Sequence, residues 1–263
     1  MIKAAVLGSP ISHSLSPLLH MAAYKELGLQ ADYQGIELTL ENAPTFFERA
    51  KNEGWTGFSL TMPLKESVFN SGFEIEPIAL QMRSANTLLF KGGNFSALST
   101  DRTAFIRLLE NVKKTRVAII GGGGTARAAL GALNGSAVEV DFLLRSAQRS
   151  QALKGIATKS EVNFFDMQHP LDGYDLVIST VPASASEIVA SKSWNKETTF
   201  FEVLYNPFPT QGLKRAQEIG SQVIDGMQLL VEQALDQTQL FSGLDFDFDL
   251  MRRNLLGVGR AQL

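Results

Sequence analysis

Apolar residues in this chain come in two alternating patterns: short runs of β-type composition, and longer stretches with apolar positions three and four residues apart. The first pattern belongs to strands and the second to helices, and their alternation predicts an α/β protein with parallel sheets and crossover helices. Residues 4–7 predict a first strand. A helix follows through Leu18, Leu19, Ala22, Ala23 and Leu27, with Ser16 at its N-cap, Pro17 at its first position and Gly28 as its stop. Strands are expected at 33–38 and 57–61, with an amphipathic helix at 42–52 between them. Residues 86–91 and 94–98 flank Gly92-Gly93 as a hairpin. After Asp101 a second series begins: helix 102–111, strand 116–120, helix 125–134 and strand 138–144, then strands at 176–180, 199–204 and 222–224. Helices at 227–241 and 248–256 close the chain, and no internal repeat or low-complexity tract interrupts it.

Composition narrows the class. With 263 residues, 44% hydrophobic and 19% charged, the chain is long enough for about two domains, and disordered, collagenous and coiled-coil readings are excluded. It has no cysteine, which removes disulfides, thiolate metal sites and cysteine nucleophiles. The three histidines, His13, His20 and His169, are too scattered for a zinc site, so no metal is expected. No apolar run is long enough to span a bilayer, and the N-terminal apolar segment breaks at Gly8-Ser9-Pro10, which predicts a cytoplasmic protein with no membrane partner. The net charge of −3 hides a basic stretch. Residues 112–159 hold eight basic side chains against two acidic ones, a local field suited to a small polyanionic ligand. Nucleic acid is not expected, because these residues are spread through an apolar βαβ pattern without stacking aromatics.

The ligand signal lies inside that basic stretch. The apolar strand Val117-Ala118-Ile119-Ile120 runs into Gly121-Gly122-Gly123-Gly124-Thr125-Ala126, a match to G-x-G-x-x-A at a strand-to-helix turn. Gly121 permits the tight turn, Gly123 lets backbone N–H groups approach a pyrophosphate, and Ala126 lets helix pack closely on strand. Binders of NAD place an acidic residue at the end of the next strand to hold the ribose hydroxyls. Here that end reads Leu144-Arg145-Ser146 with Arg149 four residues beyond Arg145, while Asp141 lies inside the strand. Guanidinium forks match a 2′-phosphate, so the pattern favours NADP over NAD; the plain alternative is a solvated arginine pair at a helix start.

The N-terminal half concentrates small polar residues at predicted strand ends: Ser14 and Ser16; Ser59, Thr61 and Lys65; Asn86-Thr87; and Ser99-Thr100-Asp101. In open α/β sheets ligands bind beyond the carboxyl ends of the strands, so these groups suit a polyhydroxylated acid, with Lys65 and Asp101 able to move a proton. Over essentially its whole length the chain resembles shikimate dehydrogenases. The matching segments are G-S-P-I-S-H-S-L-S-P-x-x-H, G-F-S-L-T-M-P-L-K, S-A-N-T, S-T-D, the glycine turn, L-R-S-x-x-R, L-Y-N-P-F-P-T and G-M-Q-L-L-V-E-Q-A, in a style similar to the actinobacterial branch.

The resemblance implies NADPH-dependent reduction of 3-dehydroshikimate to shikimate, with Lys65 and Asp101 as the catalytic pair. It further implies that Ser14 and Ser16 hold the substrate carboxylate, that Thr61, Asn86 and Gln233 contact its hydroxyls, that Tyr205 lies near the carboxylate and that Met227 borders the nicotinamide. Ser59 stands where many members have Asn, Ser99 replaces the usual Asn before Thr-Asp, Arg102 follows Asp101 in place of Gly, and Leu144 replaces the usual Asn before Arg145. The architecture expected is an N-terminal substrate domain with a mixed, mainly parallel sheet, from 1–101 and 227–263, and a Rossmann-like NADP domain at 102–226, as a monomer or homodimer. Two other functions remain at this point: an NAD-linked quinate/shikimate dehydrogenase, and a non-catalytic binding protein on the same fold.

Overall fold

The computed structural model describes residues 1–137, 139–146 and 148–263. The chain falls into two compact units, one formed by Met1–Asp101 with Leu230–Gln262, the other by Arg102–Leu229. The first unit opens with β1 (Ile2–Gly8), α1 (Ser16–Glu26), β2 (Ala31–Glu37), α2 (Ala43–Ala50) and β3 (Gly57–Leu60). Two 3-10 turns follow (Leu64–Glu66 and Val68–Asn70), then β4 (Glu74–Ile75), α3 (Pro77–Met82), β5 (Thr87–Lys91) and β6 (Asn94–Leu98). Helix α4 (Thr100–Leu108) leads into the second unit, which contains β7 (Arg116–Ile120), α5 (Gly124–Leu133), β8 (Glu139–Leu144), α6 (Gln148–Lys154) and β9 (Glu161–Asp166). It continues with β10 (Leu176–Ser179), α7 (Ser186–Ala190), β11 (Thr199–Glu202), α8 (Gln211–Ile219) and β12 (Val223–Ile224). Helix α9 (Gly226–Ser242) carries the chain back to the first unit, which ends with α10 (Phe248–Arg260).

The first sheet has the order β2-β1-β3-β5-β6-β4 and is parallel except for β5, which runs antiparallel to both neighbours. Successive side chains of a strand face opposite sides, and β1 uses both. Ala5 and Leu7 enter a core with Phe46, Phe47, Phe58 and Phe95, while Ile2, Ala4 and Val6 enter another with Tyr24, Tyr33 and Phe241. The first core is an aromatic cluster: Phe47 meets Phe73 edge-on at 5.2 Å and Phe46 meets Phe58 at 5.5 Å, the arrangement ring quadrupoles favour. On the opposite face Gly57 is required by proximity, since a Cβ there would lie 2.4 Å from the Phe241 ring and 2.5 Å from the Leu88 carbonyl oxygen. Helix α9 therefore sits directly on β3. Residues four apart share a helix face, so Gln233 and Gln237 lie on the same face of α9 as Phe241, toward the sheet.

The second sheet is wholly parallel, with the order β12-β11-β10-β7-β8-β9. Its strand order reverses between β7 and β10, which is where such sheets open a ligand crevice at their carboxyl ends. Strands β7, β8, β10 and β11 supply Ala118, Ile120, Leu143, Val177 and Phe200 to a core that Trp194 closes by stacking on Phe200 at 5.1 Å.

Most predicted elements are present within a residue or two. Of the predicted strand 138–144, residues 139–144 form β8, and Val138 lies outside the described residues. Helices α3, α6, α7 and α8 and strand β9 are not read from periodicity. Helix α8 has few apolar anchors and follows a proline-rich loop, yet Thr210 caps it by accepting from the Leu213 N–H and Gly220 ends it at φ 83°. Ser16 is not an N-cap: it is the first residue of α1, Leu15 occupies the cap position without a side-chain bond, and the Ser14 hydroxyl accepts from the Ser16 N–H at 3.3 Å. Among the described residues no helix is long and apolar enough to cross a membrane.

Candidate functional site

Topology gathers the polar residues of the first unit. Strands β1, β3 and β6 are parallel and β5 runs against them, so the segments after β1, β3 and β6 and the residue before β5 all lie at one end of the sheet. Those segments carry Ser14 and Ser16, Thr61 and Lys65, Asn86, and Asp101. Thr61 is fixed by its N–H donating to the Leu7 carbonyl at 2.9 Å, and the Leu60 N–H donates to the Asn86 carbonyl at 2.8 Å. Ser14 and Thr61 are half-buried and Ser16 is buried.

At the centre of this edge the Lys65 ammonium donates to Asp101 Oδ2 at 2.6 Å. Asp101 is only 4% exposed and occupies the first turn of α4, where the helix dipole favours a carboxylate. Its second oxygen, Oδ1, accepts from the Asn86 amide at 3.0 Å. Asn86 does two jobs at once. Its Oδ1 accepts from the backbone N–H groups of Thr100 (2.7 Å) and Asp101 (3.2 Å), so α4 is capped by a residue outside the helix, and the second hydrogen of its Nδ2 goes to Thr100 Oγ1 at 2.8 Å, with Gln233 Oε1 alongside at 3.3 Å. Asp101 does not cap α4; its carboxylate is held for Lys65. Gln233 in turn anchors itself by donating to the Leu230 carbonyl at 2.7 Å.

Ser59 is turned inward. It is 4% exposed, donates to Gln237 Oε1 at 2.6 Å and lies 2.5 Å from the Tyr33 hydroxyl, so its hydrogen-bonding capacity is spent inside the protein. The reason is its position on β3: Phe58 and Leu60 face the aromatic core, and Ser59 faces Tyr33 and α9. Nothing in the sequence marks Gln237, His20 or Tyr33 as site residues, save that Gln237 lies one helical turn beyond Gln233.

In the second unit Gly121 follows β7 at φ 109°, and a Cβ there would lie 2.4 Å from Thr180 Oγ1, just past β10. The glycine turn is thus pressed against the topological switch point. Gly123 takes the N-cap position of α5 without a side-chain cap, Gly124 and Thr125 begin the helix, and Ala126 is fully buried against the sheet. Gly122 lies against Leu144, Leu153 and Arg149, and its carbonyl accepts from the Arg149 guanidinium at 3.1 Å, tying α6 to the turn. Arg145, Ser146 and Arg149 are exposed just after β8. Asp141 cannot serve a ribose: it is fully buried and accepts from Tyr174 (2.5 Å), Asn163 (3.1 Å) and Arg116 (3.3 Å). A tight glycine turn, a helix N-terminus and basic groups where an acid would otherwise sit fit a dinucleotide with a 2′-phosphate.

Tyr205 is half-buried in the loop after β11 and Met227 is fully buried at the start of α9. Gly226 lets α9 begin there, since a Cβ would come within 2.5 Å of the Val203 and Leu204 carbonyl oxygens. The same loop is pinned by Glu202, which accepts from the Leu204 N–H at 3.2 Å and from Thr210 Oγ1 at 3.0 Å. Burial pushes the Glu202 carboxyl up to about 7. Burial also pulls His20 down to about 4, so it is neutral at ordinary pH. Among the described residues no cluster of His, Cys, Asp or Glu could hold a metal ion.

Residues 6–88 match the family model described as the shikimate dehydrogenase substrate binding domain. A shikimate dehydrogenase (NADP(+)) of Prochlorococcus marinus strain MIT 9301 is 30% identical over 269 residues, covering 94% of each chain. Among solved structures, Mycobacterium tuberculosis shikimate dehydrogenase superposes with a TM-score of 0.85 at 29% identity, covering 100% of both chains. A shikimate 5-dehydrogenase from Thermus thermophilus, solved in complex with NADP(H) and shikimate, gives 0.84 at 26% identity, again over 100% of both.

Proposed function

This chain belongs to the shikimate dehydrogenase family, and on that premise we infer that it catalyses the reversible NADPH-dependent reduction of 3-dehydroshikimate to shikimate, a step toward aromatic amino acids. The observation that carries the reading is the Lys65–Asp101 pair at 2.6 Å, set at the sheet end where Ser14, Ser16, Thr61 and Asn86 also gather. The first unit is the substrate domain and the second the dinucleotide domain.

NADPH supplies the hydride when bound, and the residues that would hold it are Gly121 to Ala126 for the pyrophosphate and Arg145, Ser146 and Arg149 for the 2′-phosphate. Met227 and Tyr205 complete the assignment, at the nicotinamide and near the substrate carboxylate. Ser14 and Ser16 bind that carboxylate, and Thr61, with the edges of Asn86 and Gln233, orients the hydroxyls. Hydride arrival at the ketone carbon builds negative charge on oxygen. The Lys65 ammonium stabilises that charge and donates its proton to the oxygen. Asp101 keeps the ammonium aimed, because its Oδ2 holds Lys65 while its Oδ1 is fixed by Asn86.

The test is nicotinamide reduction followed at 340 nm, with shikimate and quinate each offered with NADP and NAD. Shikimate with NADP is expected to be the best pair, and Lys65→Ala to lower its turnover on the order of 10²- to 10⁴-fold. Equal turnover by wild type and Lys65→Ala would remove the site assignment. A preference for quinate with NAD would replace the substrate and cofactor.

A further inference from the structure

We propose that Gln237 is a positioning residue for this reaction, acting through Asn86 on Asp101. The inference rests on the assignment of Asp101 and Lys65 to proton transfer, and adds to it a buried layer beneath the site.

The side-chain amide of Gln237 is fully buried and fully used. Its oxygen accepts from Ser59 Oγ at 2.6 Å and faces His20 Nε2 at 3.2 Å, while its nitrogen donates to the Asn86 carbonyl at 3.2 Å and to Thr87 Oγ1 at 2.9 Å. An amide has two acceptor sites and two donor hydrogens, and all four are taken, so only one orientation of the group satisfies the site. That orientation fixes the rest. Ser59 must donate to Gln237, so it accepts from Tyr33. His20 must carry its hydrogen on Nε2, leaving Nδ1 to accept from Tyr24 at 3.3 Å, and its ring is held flat on Tyr33 at 4.1 Å. Buried polar groups left unsatisfied are costly, so such a network holds one arrangement rigidly.

What it holds is the start of β5. The Asn86 carbonyl and the Thr87 hydroxyl are the two groups Gln237 grips, and the Asn86 side chain in turn fixes Asp101 Oδ1 and caps α4. Thr87 also touches Thr100 Oγ1 at 3.1 Å, so the grip reaches α4 by two routes. The hydrogen bonds of Gln237 go to Ser59, His20, Asn86 and Thr87, not to Lys65 or Asp101. Its effect is on the angle at which Asn86 presents its amide, and catalytic geometry is sensitive to displacements of about 1 Å.

The experiment measures steady-state kinetics of Gln237→Met, Asn86→Ala, the double variant and Asp101→Asn, with thermal unfolding of each. Gln237→Met is expected to lower kcat about 10- to 100-fold, with the KM for NADP unchanged. In the Asn86→Ala background, where the side-chain link to Asp101 is cut and only the Thr87–Thr100 contact still joins Gln237 to α4, Gln237→Met should lower kcat by no more than about threefold, well short of its effect in wild type. A merely structural role for Gln237 predicts instead that the two losses multiply, and that result overturns the proposal. So does a kcat within twofold of wild type in folded Gln237→Met. Should Gln237→Met not fold, Ser59→Ala removes the hydroxyl that donates to Gln237 Oε1 with little loss of volume and carries the same test, with about a threefold to tenfold loss expected and diminished by Asn86→Ala. Full activity in Asp101→Asn would instead refute the underlying assignment of the catalytic pair, a separate outcome from any of these.

Discussion

At the scale of single residues, chemistry and burial leave different traces. Lys65 and Asp101 announce themselves in the sequence as charged residues just after apolar strands, and they meet at 2.6 Å. Glu202 gives no such sign, because a Glu at a strand end reads as solvent-facing, whereas here it is fully buried and holds the loop before α8. Its carboxyl is raised by burial to about 7, from 4.5. Between these values the folded protein retains a proton that the unfolded chain has released, so stability falls as pH rises through the window, and the cost is complete above about pH 7. The full shift is worth about 3 kcal/mol. Glu202→Gln is neutral at every pH, so its melting temperature should gain on wild type between pH 5 and pH 8. Melting curves that stay parallel across that range would show that Glu202 is ionised throughout.

At the scale of elements, the decisive features are where helices begin. Helix α5 starts after a turn whose first residue, Gly121, has φ 109° and no room for a side chain against Thr180. Gly121→Ala combines a disfavoured backbone with a direct overlap, so a loss of about 3 kcal/mol is expected, with weaker retention on an NADP-affinity matrix. Urea unfolding at wild-type midpoint would show that the turn has another way to relax. Helix α4 begins differently. Its cap is Asn86, from before β5 and 14 residues upstream of Thr100, and no local sequence rule finds such a cap because it depends on the β5–β6 hairpin returning the chain to the same sheet end.

At the scale of the whole molecule, one buried group in each unit responds to pH in the opposite sense to the other. His20, in the first, is lowered by burial from 6.5 to about 4, so the unfolded chain binds a proton before the folded one does and stability is lost as pH falls through that window. Glu202, in the second, weakens its unit as pH rises. Hydrogen exchange corrected for intrinsic rates should therefore show α1 and β2 opening more readily at pH 5, and β11 and α8 at pH 8. A uniform change across both units would contradict the local origin of these effects.

The sequence by itself determined the α/β class, the alternation of strand and helix, the glycine turn after Ile120 with its arginines, and Lys65 and Asp101 as candidates for proton transfer, because each is written in neighbouring residues through period, turn chemistry or charge. Only the tertiary structure decided that Ser59 turns inward, that Asn86 caps α4 and braces Asp101, and that Gln237 and His20 stand behind them. The contacts of Gln237 depend on strand register and on the seating of α9 over Gly57, which bring together residues more than a hundred positions apart, while the Asn86 cap depends on the β5–β6 hairpin. Hydrogen-bond satisfaction in a buried layer is a property of the packed whole, and no window of local sequence contains it.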